Sequence, residues 1–230
     1  MPRQHGSDEV TPMSASFGIQ TARILDEHLT VAERERGVVS SLAVGSAFES
    51  WLAFEARLLW ERNRKELGLT ELFESEGRSI HRYWLANEPM KIDLYIGDHG
   101  ASEPAVCHST FEFKLIPNNK NWTAQADGVW ADLFPTRTVK AEVRPANGRF
   151  AIVGVIGKVY HSDDSGYPGQ RADLDEWEGE LERYLLPEAG WEGKHVVRVW
   201  KGKRHMIQHE WLRDGFKHFF QLQALTARVD

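Results

Sequence analysis

The chain has 230 residues, with 28 Lys+Arg against 34 Asp+Glu, a net charge of −6, 41% hydrophobic and 27% charged residues. These proportions suit one globular domain, or one with a small appendage, and exclude whole-chain disorder or a fibrous repeat. No apolar run approaches the ~20 residues of a membrane helix; the opening MPRQHG lacks a secretory layout, and the lone Cys107 forbids an internal disulfide, so a cytoplasmic protein is expected.

Residues 1–16 (MPRQHGSDEVTPMSAS) are polar and turn-rich and read as a loose arm. A long helical pattern follows. Val38, Leu42, Ser46, Glu49, Leu52, Ala53, Ala56 and Leu59 recur at 3.6-residue spacing on one small or apolar face, and Gly68 supplies a stop near its end. The middle of the chain reads as strands. Ser79–Ala86 is mixed and aromatic. Met90–Ile96 alternates, with Ile92, Leu94 and Ile96 facing one way and Asp93 and Tyr95 the other. Cys107–Ile116 alternates again: Cys107, Ser109, Phe111, Phe113 and Leu115 point inward, and Thr110, Glu112 and Lys114 share the opposite face, with His108 on that same face but peripheral.

Pro117-Asn118-Asn119 breaks that strand, Asn121–Leu133 reads as a helix ended by Pro135, and Arg149–Gly157 is a continuous apolar run, expected of a strand covered on both faces. Asp163–Glu192 holds 10 acidic and 2 basic residues and suggests a solvated helix around residues 173–186. The sign then reverses: Lys194–His205 carries five Lys or Arg and no acid, and reads as a hairpin turning at Lys201-Gly202-Lys203. A closing helix is expected over Leu212–Leu225. Most tryptophans, Trp51, Trp60, Trp130 and Trp177 among them, fall at helical spacing and read as core.

The chemistry concentrates on two strands. Eighteen residues separate Asp93 from Glu112, enough to turn and lay the two strands side by side. Two carboxylates brought together resist ionisation unless a cation sits between them. A hard divalent ion such as Mg²⁺, with Mn²⁺ as a substitute, resolves that conflict using one or two carboxylates, waters and a phosphate oxygen. A lysine two residues from Glu112 can orient a water, deprotonate it as the neutral amine, or as the ammonium stabilise negative charge building on a phosphate. Metal-assisted hydrolysis of a phosphodiester is the matching reaction. The competing reading of Glu112 and Lys114 is an exposed ion pair of little worth.

Ile92-Asp93 followed by Glu112-Phe113-Lys114, within an α-β-β-β-α-β order, resembles the PD-(D/E)XK nuclease superfamily over roughly residues 38–157. The resemblance implies an α/β, restriction-endonuclease-like core over residues 17–160, with a central mixed sheet flanked by helices. Residues 161–230 would form a C-terminal extension of acidic helix, basic hairpin and closing helix. It also implies that Asp93 and Glu112 bind metal and that Lys114 assists the attacking water. An acid from the first helix often completes such sites. Glu49 is assigned that place, since a carboxylate on so apolar a face is costly unless paired or metal-bound; Glu55 is the alternative. Ile92 replaces the family's proline. Gln125 matches the glutamine of a Gln-x-x-x-Tyr motif found in some branches, but Val129 stands at the tyrosine position, so Gln125 is only a supporting candidate.

For nucleic-acid contact the candidates are Lys194, Arg198, Lys201, Lys203 and Arg204, with Lys120 just beyond the catalytic strand. His205 and His209 lack the partners of a zinc site. No phosphate-cradling glycine motif or nucleophile elbow is present, so no organic cofactor is expected. The resulting expectation is a Mg²⁺-dependent DNA endonuclease of the restriction kind, acting as a homodimer. The rivals are a DNA-binding module on the same fold that has lost turnover, and a defence-system interaction protein using its acidic surface.

Overall fold

The computed structural model describes residues 13–36, 48–87, 89–100, 106–119, 121–136, 138–159, 174–207 and 217–229. Helix α1 spans Met13–Arg36 and α2 Phe48–Arg62. α1 begins inside the stretch expected to be a loose arm: Pro12 precedes it, and Met13-Ser14-Ala15-Ser16 contain no helix breaker. Val38, Leu42 and Ser46 lie outside the described residues. A hairpin of β1 (Leu72–Ser75) and β2 (Arg78–His81) forms a separate two-stranded sheet.

The expected strand over 79–86 is therefore two strands. It breaks at Arg82, whose guanidinium reaches both Asp98 and Glu71, and β3 then runs Tyr83–Asn87. After a 3₁₀ turn at Pro89–Lys91 come β4 (Leu94–Asp98) and β5 (Val106–Pro117). Next are α3 (Trp122–Leu133), the single turn α4 (Val139–Glu142) and β6 (Gly148–Val159). The chain continues through α5 (Leu174–Leu185), β7 (Lys194–Lys201), β8 (His205–Ile207) and β9 (Lys217–Val229).

The main sheet has the order β3-β4-β5-β6-β9-β7, with β8 also on β9. It is mixed: β5 and β6 are parallel, joined through α3 and α4, and the other pairs are antiparallel. Two apolar layers cover its two faces, as an α/β architecture requires. On one face, Leu94, Phe111, Phe113, Phe150 and Phe220 meet α1 and α2 through Leu25, Leu52, Ala56 and Trp60. On the other, Ala151, Val153, Val155 and Phe219 meet α3 and α5 through Val129, Trp177 and Leu181. Among the described residues no helix is long and apolar enough to cross a membrane.

Several expectations need correction. β9 replaces the closing helix over its described part, residues 217–225. Phe220, Leu222 and Ala224 enter one core while Phe219, Leu225 and Ala227 enter the other. That is a two-residue period with both faces buried, which a composition of aromatics and aliphatics disguises as a helix stripe. The basic hairpin is absent as well: β7 and β8 both pair with β9, one after the other along the same edge, rather than with each other. The acidic helix α5 is only half solvated, because Trp177, Leu181 and Leu185 lie four residues apart on a fully buried face.

Phase also shifts locally. The β4–β5 register slips between Ile96 and Gly97, so Ser109 and Cys107 become successive partners. Such a bulge moves the residues before it to the other face. Cys107 therefore packs with Ile92, Tyr95 and Val143 and not with Phe111. Ile92 parts from Leu94 and Ile96 for a different reason: the expected strand over Met90–Ile96 is a 3₁₀ turn up to Lys91 and becomes a strand only at Leu94. His108 lands on the α1 side against Phe17 and Tyr83, away from the Glu112 face.

Candidate functional site

β4 stops opposite Phe111, while β5 continues to Pro117. Beyond that point the outward N–H groups of β5 face no strand, and a buried N–H must find an acceptor. Two carboxylates supply it. Asp93, immediately before β4, accepts from the Phe113 N–H through Oδ2 at 2.7 Å. Glu49, in the first turn of α2, accepts from the Leu115 N–H through Oε1 at 2.8 Å. Asn87 ties these two elements together. Its side-chain amide donates to the Asp93 carbonyl at 3.1 Å and to the Ala53 carbonyl of α2 at 3.2 Å.

Glu112 and Lys114 leave β5 on the α3 side of this same edge. The Lys114 ammonium lies 3.1 Å from Asp132 Oδ2 and 4.0 Å from Glu49 Oε2. Lys140, projecting from α4, reaches Asp132 Oδ1 at 2.7 Å and Glu112 Oε1 at 2.8 Å. At Glu112 the contact is an ion pair without an aligned hydrogen bond, so Oε1 is a buried acceptor with no properly directed donor. The stem of Lys114 runs beside α3 at Gly128, where a Cβ would stand 3.6 Å from Lys114 Cε, an ordinary contact.

Four carboxylates thus surround two ammonium groups, a formal excess of two negative charges in a largely buried place. The proton affinities follow. Burial first, then Asp132 and Asp93, push the Glu112 carboxyl up to about 8 against the partial relief from Lys140. Asp93 is raised too, by burial, with the Phe113 N–H and Lys114 opposing. Burial pulls Lys114 down, but Asp132, Glu49 and Asp93 outweigh it and raise its pKa. Lys140 is raised in the same way by Asp132 and Glu112. Both lysines are therefore held as cations.

The structure brings Asp93, Glu112, Lys114 and Glu49 to one edge, from three elements. Glu55 does not join them, because it faces α1 and pairs with His28 at 3.2 Å. Gln125 is half-buried one turn before Gly128 on α3, with no side-chain hydrogen bond among the described residues. Sequence reasoning missed Asp132, Lys140 and Asn87. A faint signal existed for the first: Gln125, Gly128 and Asp132 are spaced at i, i+3 and i+7 on one face of α3.

The proposed nucleic-acid strip is mostly occupied internally. Arg198 pairs with Glu182, Lys201 with Glu178 and Glu182, and Arg204 with Asp175 and Glu178. The same pairs engage the acidic surface that one rival reading offered to a foreign partner. Lys203 is exposed near Asp26, Lys194 opens β7, and Lys120 lies outside the described residues. His205 sits 3.0 Å from Asp26, and His209 is also outside the described residues.

The donor set fits a hard divalent ion in part. Its atoms are carboxylate oxygens, its charge is under-compensated, and Glu112 keeps an undirected buried oxygen. Among the described residues, however, no group of three or more His, Cys, Asp or Glu converges closely enough to cage a metal. Mg²⁺ does not demand such a cage, since it keeps several waters and takes one or two carboxylates plus substrate oxygens. Comparison of the chain with protein-family models, with curated proteins and with solved structures found no match.

Proposed function

We propose that this protein is a metal-dependent phosphodiester hydrolase acting on DNA, with a restriction-endonuclease-like core. The observation that carries the reading is the β5 edge: Asp93 and Glu49 on alternate N–H groups beyond the end of β4, with Glu112 and Lys114 beside them. The order α2-β3-β4-β5-α3-β6, with β6 parallel to β5, supports the same core.

Asp93 and Glu112 would hold Mg²⁺ or Mn²⁺, with Glu49 completing the acidic cluster. When bound, such an ion supplies Lewis-acid polarisation of the phosphate and a more acidic water. The residues themselves do the rest. Glu49 and Asp93, fixed by backbone N–H groups, keep the acidic edge rigid. Lys114, held protonated, offers a fixed positive charge to the phosphorane-like oxygens rather than taking up a proton. Asp132 fixes the heights of both lysines by accepting from each. An enzyme cutting both strands of a duplex would do so as a two-fold dimer, one site per strand.

The test is incubation of the protein with supercoiled and linear DNA in Mg²⁺ or Mn²⁺, beside an Asp93→Ala, Glu112→Ala double variant. Nicking or linearisation by the wild type alone is expected. Equal cutting by the double variant would falsify the assignment. One observation favours a second reading, a module that binds DNA without cutting it: the Lys140 ammonium stands between Glu112 and Asp132, where a cation is wanted. DNA binding with no scission in Mg²⁺, Mn²⁺ or Ca²⁺ would support that reading instead.

A further inference from the structure

A cleft of about 440 Å³ opens beside α4, within the ~300–1,000 Å³ span of ordinary ligand sites. Its apolar wall includes Leu133, Phe134 and Val143, and its cations are Arg144, Arg149 and Lys194; among the described residues no acid lines it. Leu133 follows Asp132 on α3, and Val143 caps α4, which carries Lys140. The two short elements that deliver Asp132 and Lys140 to the carboxylate cluster therefore also wall this cleft. Arg149 is locked into that wall by donating to the carbonyls of Lys140, at 2.8 Å, and of Val143. Arg144 is exposed and Lys194 half-buried, and neither has an acidic partner among the described residues. They differ in this from Arg198, Lys201 and Arg204.

A ligand matching both wall and rim has a flat apolar ring and a delocalised anion. Aromatic faces accept bases of any sequence, and guanidinium and ammonium groups accept phosphate. We propose that the cleft receives one nucleotide of a nucleic-acid strand next to the scissile phosphate, its base against Phe134 and its phosphate between Arg144 and Lys194. The position next to the scissile phosphate rests on the hydrolase reading; the binding itself does not.

The experiment is fluorescence anisotropy of a 5′-fluorescein 12-nucleotide single strand with the full chain in EDTA, over a salt series. Arg144→Glu with Lys194→Glu should weaken binding at least about tenfold and lower the salt slope by about 0.7, for one phosphate no longer neutralised. Phe134→Ala should weaken binding about tenfold with the slope unchanged. The control is Arg62→Glu with Arg78→Glu, exposed cations on other elements, which should bind within about twofold of wild type. Wild-type affinity in the Arg144/Lys194 variant, or an equal loss in the control, overturns the inference. So does displacement of the strand by micromolar dAMP, which would identify a free nucleotide as the ligand. A protein that cuts no DNA yet needs Arg144 and Lys194 for binding sinks the hydrolase reading alone. A cutting enzyme indifferent to those two residues sinks the cleft alone.

Discussion

Glu182 and Glu112 are the same kind of side chain within reach of lysines, yet their proton affinities move in opposite directions. At Glu182, burial is outweighed by Lys201 and Arg198, and the carboxyl is lowered. At Glu112, burial and two neighbouring aspartates win, and the carboxyl rises to about 8. The surroundings explain the contrast. Where α5 meets β7 and β8, three carboxylates (Asp175, Glu178, Glu182) face three cations (Arg198, Lys201, Arg204), and the charges balance. At the β5 edge, four carboxylates face two ammonium groups. A balanced cluster holds two elements together, and an unbalanced buried one asks for a further cation. Perturbed proton affinity combined with charge imbalance is what singles out the β5 edge as the candidate site.

The largest effect that would separate the two regions is on turnover. Lys114→Ala should lower DNA cleavage in Mg²⁺ by about 10²–10³-fold, while Lys201→Ala stays within about twofold. Comparable losses in the two variants would erase the distinction. Stability should behave the other way round. Glu178→Ala leaves Lys201 and Arg204 without their shared carboxylate, and a cost of about 1–3 kcal/mol is expected in urea unfolding, with cleavage by the folded fraction unchanged.

The third test uses pH. Without metal, Glu112 holds its proton more tightly folded than unfolded, since its carboxyl is raised from 4.5 to about 8. The stabilisation this gives is fully present below 4.5 and is lost as pH rises towards 8; Asp93 shifts in the same direction. Melting in EDTA should therefore show Glu112→Gln gaining on the wild type from pH 5 to pH 8, by at most ~1.4 kcal/mol per unit. A Glu112→Gln variant whose stability relative to the wild type stays constant or falls over that range contradicts the charge excess. The smallest effect concerns Lys140. Replacing it by Met removes the cation between Glu112 and Asp132, and Mn²⁺ affinity measured by calorimetry should tighten about tenfold; weaker binding would make Lys140 part of the ion's support.

Alternation carried much of the site. Glu112 and Lys114 share a face because a strand repeats every two residues, and Glu49 was visible as an acid on an apolar helix stripe. The bulge at Cys107 was not visible, because one extra residue changes phase without changing composition. Asp132 and Lys140 were not visible either. Each comes near β5 only because the crossover to β6 folds α3 and α4 back over that edge. The acidic and basic segments looked like two separate surfaces, and they turned out to be each other's partners across α5 and the β7–β8 edge.

The sequence by itself determined the periods: helices at α2, α3 and α5, strands at β5, β6 and the Leu94–Ile96 part of β4, and the residues able to carry charge into a buried place. Local patterns suffice there because side-chain direction repeats within one element. Tertiary structure decided whether Lys217–Val229 would be a helix or a strand, since β6 and β7 on either side pair with its backbone while the helices on the two sides of the sheet bury both of its faces. It also decided which charges would be neutralised, because Coulomb attraction depends on distances between elements that no spacing along the chain records.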